Sequence, residues 1–103
     1  MSQTTKSEVG ALESVFSCSE SRVLDHMITF RDFDYSISDI SRSVDIGFKT
    51  TLGVVHKLER QNVLVLTRQI GNAKLYKLNS NSTQAKSLSK LCFEIAKNRI
   101  AQN

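Results

Sequence analysis

Apolar residues recur at helical spacing in five stretches of the chain and become β-rich in two. Val9, Leu12, Val15 and Phe16 predict a short helix over about 8–16. Ser17-Cys18-Ser19 interrupts it, because serine hydroxyls compete for the helix backbone and favour caps. Ser19 is the expected N-cap of a second helix, which carries Val23, Leu24, Met27 and Ile28 on one face and ends near Phe30. Tyr35-Ser36-Ile37 reads as a short extended piece. Ser38 is expected to cap a third helix, with Ile40 and Val44 facing the core and Asp39 in the first turn. Asp45-Ile46-Gly47 reads as a tight turn in which Gly47 supplies the positive φ.

A longer helix is predicted from Phe48 to Gln61, with Phe48, Thr51, Leu52, Val55 and Leu58 on its core side. Two helices joined by a short turn containing Gly form a helix-turn-helix signature. The β-rich runs Val63–Gln69 and Lys74–Leu78 flank Ile70-Gly71-Asn72-Ala73, in which Gly71-Asn72 is a two-residue hairpin signal. That loop pairs 70 with 73, 67 with 76 and 65 with 78, so Val65, Thr67, Tyr76 and Leu78 are expected to share the core side. Asn81 or Ser82 then opens a final helix to about Ile100, striped with Leu88, Leu91, Cys92 and Ile95. The expected fold class is mainly α with a small antiparallel β wing (α+β), in the order α-α-β-α-α-β-β-α.

Composition adds little until charge is placed along the chain. Its 103 residues suit one domain, and 40% hydrophobic with 23% charged residues is ordinary globular usage. No internal repeat or Pro-rich linker divides it. The longest aliphatic run, Val63–Leu66, is far short of a membrane span, and Met1–Glu8 lacks an apolar signal core, so a cytoplasmic protein without membrane contact is expected. The net charge of +4 is unevenly spread. Residues 1–41 hold three basic and seven acidic side chains, whereas residues 42–77 hold seven basic and two acidic ones. An acidic front and a basic middle point to a polyanionic partner.

The basic middle falls on the helix-turn-helix and the hairpin. Opposite the expected core side of the long helix lie Lys49, Thr50, Gly53, Lys57 and Arg60, with His56 at the flank. Lys and Arg suit phosphates and guanine edges, Thr suits phosphate or a thymine methyl, and Gly53 permits close approach. A solvated helix face also attracts Lys and Arg. The preceding helix and turn and the following basic hairpin favour double-stranded DNA instead. Arg68, Gln69, Asn72 and Lys74 cluster at the hairpin tip and extend that surface onto the backbone or minor groove.

From Ala11 to about Leu91 the chain resembles a winged helix-turn-helix DNA-binding domain of the ArsR/MarR type, common in bacterial and archaeal regulators. The resemblance rests on ALESVF, SRVLDHM, YSISDISRSVDIG, FKTTLGVVHKLERQNVLV and RQIGNAKLYKLN. It implies that the helix from Phe48 enters the major groove and that the hairpin at Gly71-Asn72 is the wing. Asn62 stands where such families usually have Gly, and Asn tolerates the left-handed conformation. Residues 1–7 are then a tail, 8–80 the winged domain and 81–103 a helix for pairing subunits. In similar proteins the terminal helices pair two chains, so Val9, Leu12, Phe16, Leu88, Leu91, Cys92 and Ile95 are expected at a homodimer interface. The implied function is a sequence-specific transcriptional regulator, expected to repress. The alternative is a winged-helix module that binds protein through the same surfaces.

Other chemistry finds no support in the residues. Cys18 and Cys92 are too isolated for a zinc site, and no cysteine pair occurs in 48–61, where many ArsR-type metal sensors carry one. A thiol switch between them is conceivable, but cysteine in an apolar stripe reads first as core filling. His26 reads as a partly buried structural residue. Gly10, Gly47, Gly53 and Gly71 never reach phosphate-loop spacing, and Asp32 and Asp34 lack a second cluster to work with. No enzyme, metal or cofactor is expected, and no small-molecule effector is legible.

Overall fold

The computed structural model describes residues 9–101, so the expected tail over 1–7, residue 8 of the first helix and the last two residues lie outside the described residues. Its elements are α1 (Ala11–Val15), α2 (Ser19–Thr29), β1 (Tyr35–Ser36), α3 (Ile37–Val44), α4 (Phe48–Arg60), β2 (Leu64–Ile70), β3 (Ala73–Leu78) and α5 (Thr83–Ala101). The order is the one the apolar pattern predicts. The helices pack around one core, and the three strands form a small antiparallel sheet in the order β1-β3-β2.

Local chemistry fixes where the helices begin, not always where the sequence pointed. The N-cap of α2 is Cys18 rather than Ser19, because Ser21 closes a capping box with Cys18 and also donates to the carbonyls of Phe16 and Cys18. Ser36, not Ser38, caps α3: its hydroxyl accepts from Asp39 N at 3.1 Å, and the Asp39 carboxylate accepts from Ser36 N at 3.3 Å. Such a reciprocal box is worth about 1 kcal/mol. At the far end of α3 the left-handed residue is Asp45 (φ 56°), not Gly47. Asp is among the few non-glycine residues that enter this region readily. Asn62 (φ 64°) ends the turn after α4 in the same conformation, as its sequence position predicts.

The short helix α1 has no side-chain cap of its own. Asp25 of α2 supplies one from a distance, accepting from Leu12 N at 2.8 Å and Glu13 N at 2.9 Å. A carboxylate at a helix N-terminus satisfies orphan N–H groups and complements the helix dipole. This buried pairing docks α1 against α2.

The hairpin turns at Gly71 (φ 60°) and Asn72, with Ile70 opposite Ala73 as expected. Beyond the tip the register departs from expectation. Pairing jumps from Arg68–Leu75 to Leu66–Tyr76, leaving Thr67 as an extra residue in a β-bulge. One inserted residue exchanges the two faces of a strand. Leu64, opposite Leu78, is therefore the buried residue of β2, while Val65 and Thr67 are exposed. Tyr76 and Leu78 of β3 are buried as predicted. β1 closes the sheet by pairing Tyr35 with Tyr76 and Ser36 with Leu75.

The core is built from Leu12, Val23, Met27, Ile40, Val55, Leu58 and Leu64 with their neighbours. On α4 the buried arc is Thr51, Val54, Val55 and Leu58, turned toward Val54 from the expected arc by packing against α2 and β2. Leu52 is consequently only half-buried, and Phe48 is left 52% exposed.

Candidate nucleic-acid interface

Because the buried arc of α4 is turned, the opposite side is exposed along its whole length. Lys49, Thr50, Gly53, Lys57 and Arg60 are exposed there and His56 is half-buried. A Cβ at Gly53 would meet nothing within 4 Å, so this point of the helix is open to close approach. Among the described residues Lys49, Arg60 and Lys74 take part in no ion pair. Their charges are available to a ligand.

Two of the expected contact residues are differently placed. Lys57 Nζ lies 3.0 Å from Glu20 Oε2 in the first turn of α2. Arg68 donates Nε and Nη2 to Asp34 Oδ2 and Oδ1 at 3.0 and 3.2 Å. The Arg68 guanidinium, with the Thr67 hydroxyl, holds the Asp34 carboxyl below its usual range. Lys57 does the same for Glu20. Both acids come from the acidic front half, so part of the charge asymmetry in the sequence is cancelled locally in space. No sequence signal marks these partners, which lie 37 and 34 residues apart.

The wing and α4 meet in an open groove of about 460 Å³. Its walls bring together His56 from α4 with Asn72 and Lys74 from the hairpin, three residues singled out in the sequence. Phe48, Leu52, Ile37 and Tyr76 give it an apolar floor. Gln69 instead folds back over the turn, donating Nε2 to Gly71 O at 3.0 Å.

The residues expected at a dimer interface divide into two groups. Leu12 is buried in the chain's own core, and Leu88, Cys92 and Ile95 pack against that core as half-buried residues. Val9 is half-buried, and its carbonyl accepts from Arg99 Nη1 at 3.1 Å. Phe16 and Leu91 face outward, joined by Val15, Phe93 and Ile100 among the exposed apolar side chains. The inward stripe of α5 is used up because α1 and α5 pack on each other.

Cys18 and Cys92 are both free thiols, Cys18 exposed and Cys92 half-buried. Burial and the nearby Asp25 carboxylate raise the Cys92 pKa. His26 is half-buried between the rings of Phe30 and Tyr35, with Nε2 lacking a hydrogen-bond partner, and burial lowers its pKa. Among the described residues no group of three or more His, Cys, Asp and Glu is arranged to hold a metal ion, and no helix is long and apolar enough to cross a membrane.

No protein-family model matches the chain, and no curated protein matches it in sequence. Solved structures do match. A possible transcriptional regulator from Methanosarcina mazei Go1 superposes with a TM-score of 0.60 at 16% identity, over 89% of this chain and 81% of that one. MepR, a transcription regulator of the Staphylococcus aureus multidrug efflux pump MepA, gives 0.60 at 16% identity, over 99% and 78%. The antimony-specific transcriptional repressor AntR gives 0.61 at 16% identity, over 96% and 86%. The likeness establishes the winged-helix fold, and these neighbours are transcription regulators rather than enzymes.

Proposed function

We propose that the chain is a sequence-specific double-stranded DNA-binding transcriptional regulator that acts as a cytoplasmic homodimer and represses by occluding its site. The observation that carries this reading is the exposed side of α4. Lys49 and Arg60, without ion-pair partners among the described residues, flank the open position Gly53 on the second helix of a helix-turn-helix. Two unpaired cations on either side of a point of close approach suit a phosphate-lined groove. Lys49, Thr50, His56 and Lys57 meet base edges and adjacent phosphates in the major groove, while Arg60, Arg68 and Lys74 hold phosphates. Gln69 and Asn72 complete the wing against the backbone or minor groove.

Exposed apolar side chains at α1 and on α5, Phe16 and Leu91 among them, offer surface to a second copy next to the half-buried Val9, Leu88, Cys92 and Ile95. In a homodimer that reads a palindromic site, the two α4 helices are expected about 34 Å apart, one turn of duplex. The regulator and repressor roles of the structural neighbours support this reading. A gel-shift series against random duplex DNA tests it. The expected result is a complex of two chains per duplex that weakens steeply with salt. No shift even at low salt would favour the protein-binding module instead.

A further inference from the structure

We propose that Asp34 anchors the wing to the body of the domain, and is thereby a positioning residue for duplex binding although its own charge repels phosphate. The wing needs such an anchor. On β2 only Leu64, at the base, is buried, and the other six residues are exposed. β1 grips β3 by just two residue pairs, at Tyr76 and Leu75. The distal hairpin is thus held mainly to itself.

Asp34 supplies the missing tie. It lies immediately before β1, on the sheet edge opposite β2, and its carboxylate reaches across β3 to the bulge. Oδ2 accepts from Thr67 Oγ1 at 2.6 Å and from Arg68 Nε at 3.0 Å, and Oδ1 accepts from Arg68 Nη2 at 3.2 Å. Among the described residues, every side-chain hydrogen bond from β2 to a residue outside the hairpin ends on Asp34. The Asp34 side chain is 18% exposed and that of Arg68 61% exposed, so the acid sits beneath and the guanidinium outside. A two-point grip fixes the plane of a guanidinium. It leaves Arg68 Nη1 without a hydrogen-bond partner among the described residues, on a side chain that is mostly exposed, and so free for a phosphate contact.

The DNA part of this inference rests on the function proposed above, and the anchoring part does not. The test therefore has two arms, on Asp34→Ala and, from the other partner, Arg68→Ala, with folding checked by thermal midpoint. In the free protein, amide exchange across Thr67–Lys74 is expected to quicken about five-fold in both variants while α2 and α4 stay protected. Unchanged exchange in both variants overturns the anchor. On a duplex selected with the wild-type protein, Asp34→Ala is expected to bind about five-fold more weakly, with no further loss when added to Arg68→Ala. Tighter binding by Asp34→Ala overturns the positioning role and makes Asp34 a competitor for Arg68. A wild-type protein that binds no duplex refutes the proposed function, and the exchange arm still decides the anchor.

Discussion

Lys57 Nζ sits 3.0 Å from Glu20 Oε2, an ion pair that ties the exposed side of α4 to the first turn of α2. The pair is a single contact, and both side chains are well exposed. Unlike Asp34, Glu20 holds no second group on α4 or the wing among the described residues. Under the proposed function its carboxylate competes with phosphate for the ammonium. Glu20→Gln is expected to tighten duplex binding about two- to five-fold at low salt, with the gain vanishing as salt rises. Titration by fluorescence anisotropy measures both, and weaker binding by the variant would contradict the reading.

Gly10 marks a limit set by space rather than by backbone conformation. Its φ of −66° is open to any residue, yet a Cβ there would lie 2.0 Å from Asp25 Oδ2. Gly10→Ala must push the carboxylate off the amides of Leu12 and Glu13, leaving α1 uncapped. A loss of about 1–3 kcal/mol in urea unfolding is expected. Wild-type stability in this variant would show that α1 is not held through Asp25.

The half-buried imidazole of His26 makes stability pH-dependent near neutrality. Its folded pKa lies below its ordinary value, so on acidification the unfolded chain takes up a proton before the folded one does. The stability is fully present above about pH 6.5 and declines as pH falls from there. The melting temperature is expected to drop between pH 7 and 5, above the range where Glu20 and Asp34 titrate. His26→Phe, which removes the unpartnered Nε2, should flatten that decline. An equal slope in both proteins would assign the effect elsewhere.

Burial and Asp25 keep Cys92 protonated at neutral pH, while Cys18 is exposed. Thiolate is the reactive form. A maleimide reagent at pH 7 is expected to label Cys18 at least ten times faster than Cys92, read by mass spectrometry of the native protein. Comparable rates would contradict the geometry around Cys92.

The helices and the hairpin turn were legible because each rests on local information. The apolar spacing of α2 and α4, the Gly71-Asn72 turn and Asn62 with its left-handed tolerance all act within a few residues. What escaped is decided by partners distant in sequence or by single-residue choices. Neighbouring serines offer equivalent caps, and only the Asp39 carboxylate selects Ser36. The run from Val63 to Gln69 alternates too weakly to reveal a bulge at Thr67. The arc of α4 that faces inward is set by α2 and β2, which is why Phe48 emerged and Val54 was buried. The exposure of Lys49, Thr50, Gly53, Lys57 and Arg60 on one side of α4 was legible from charge and spacing. The pairing of the acids Glu20 and Asp34 was not, since nothing local announces an ion pair across more than thirty residues.

Under the proposed function, the exposed cations of α4 and the wing hold duplex phosphates. The most direct measurement is the slope of log K against log salt for the wild-type protein and for Lys49→Ala, Arg60→Ala and Lys74→Ala. Each lost phosphate contact is expected to flatten the slope by about one unit and to weaken binding across sequences. A wild-type affinity independent of salt, or three variants with the wild-type slope, would contradict the account.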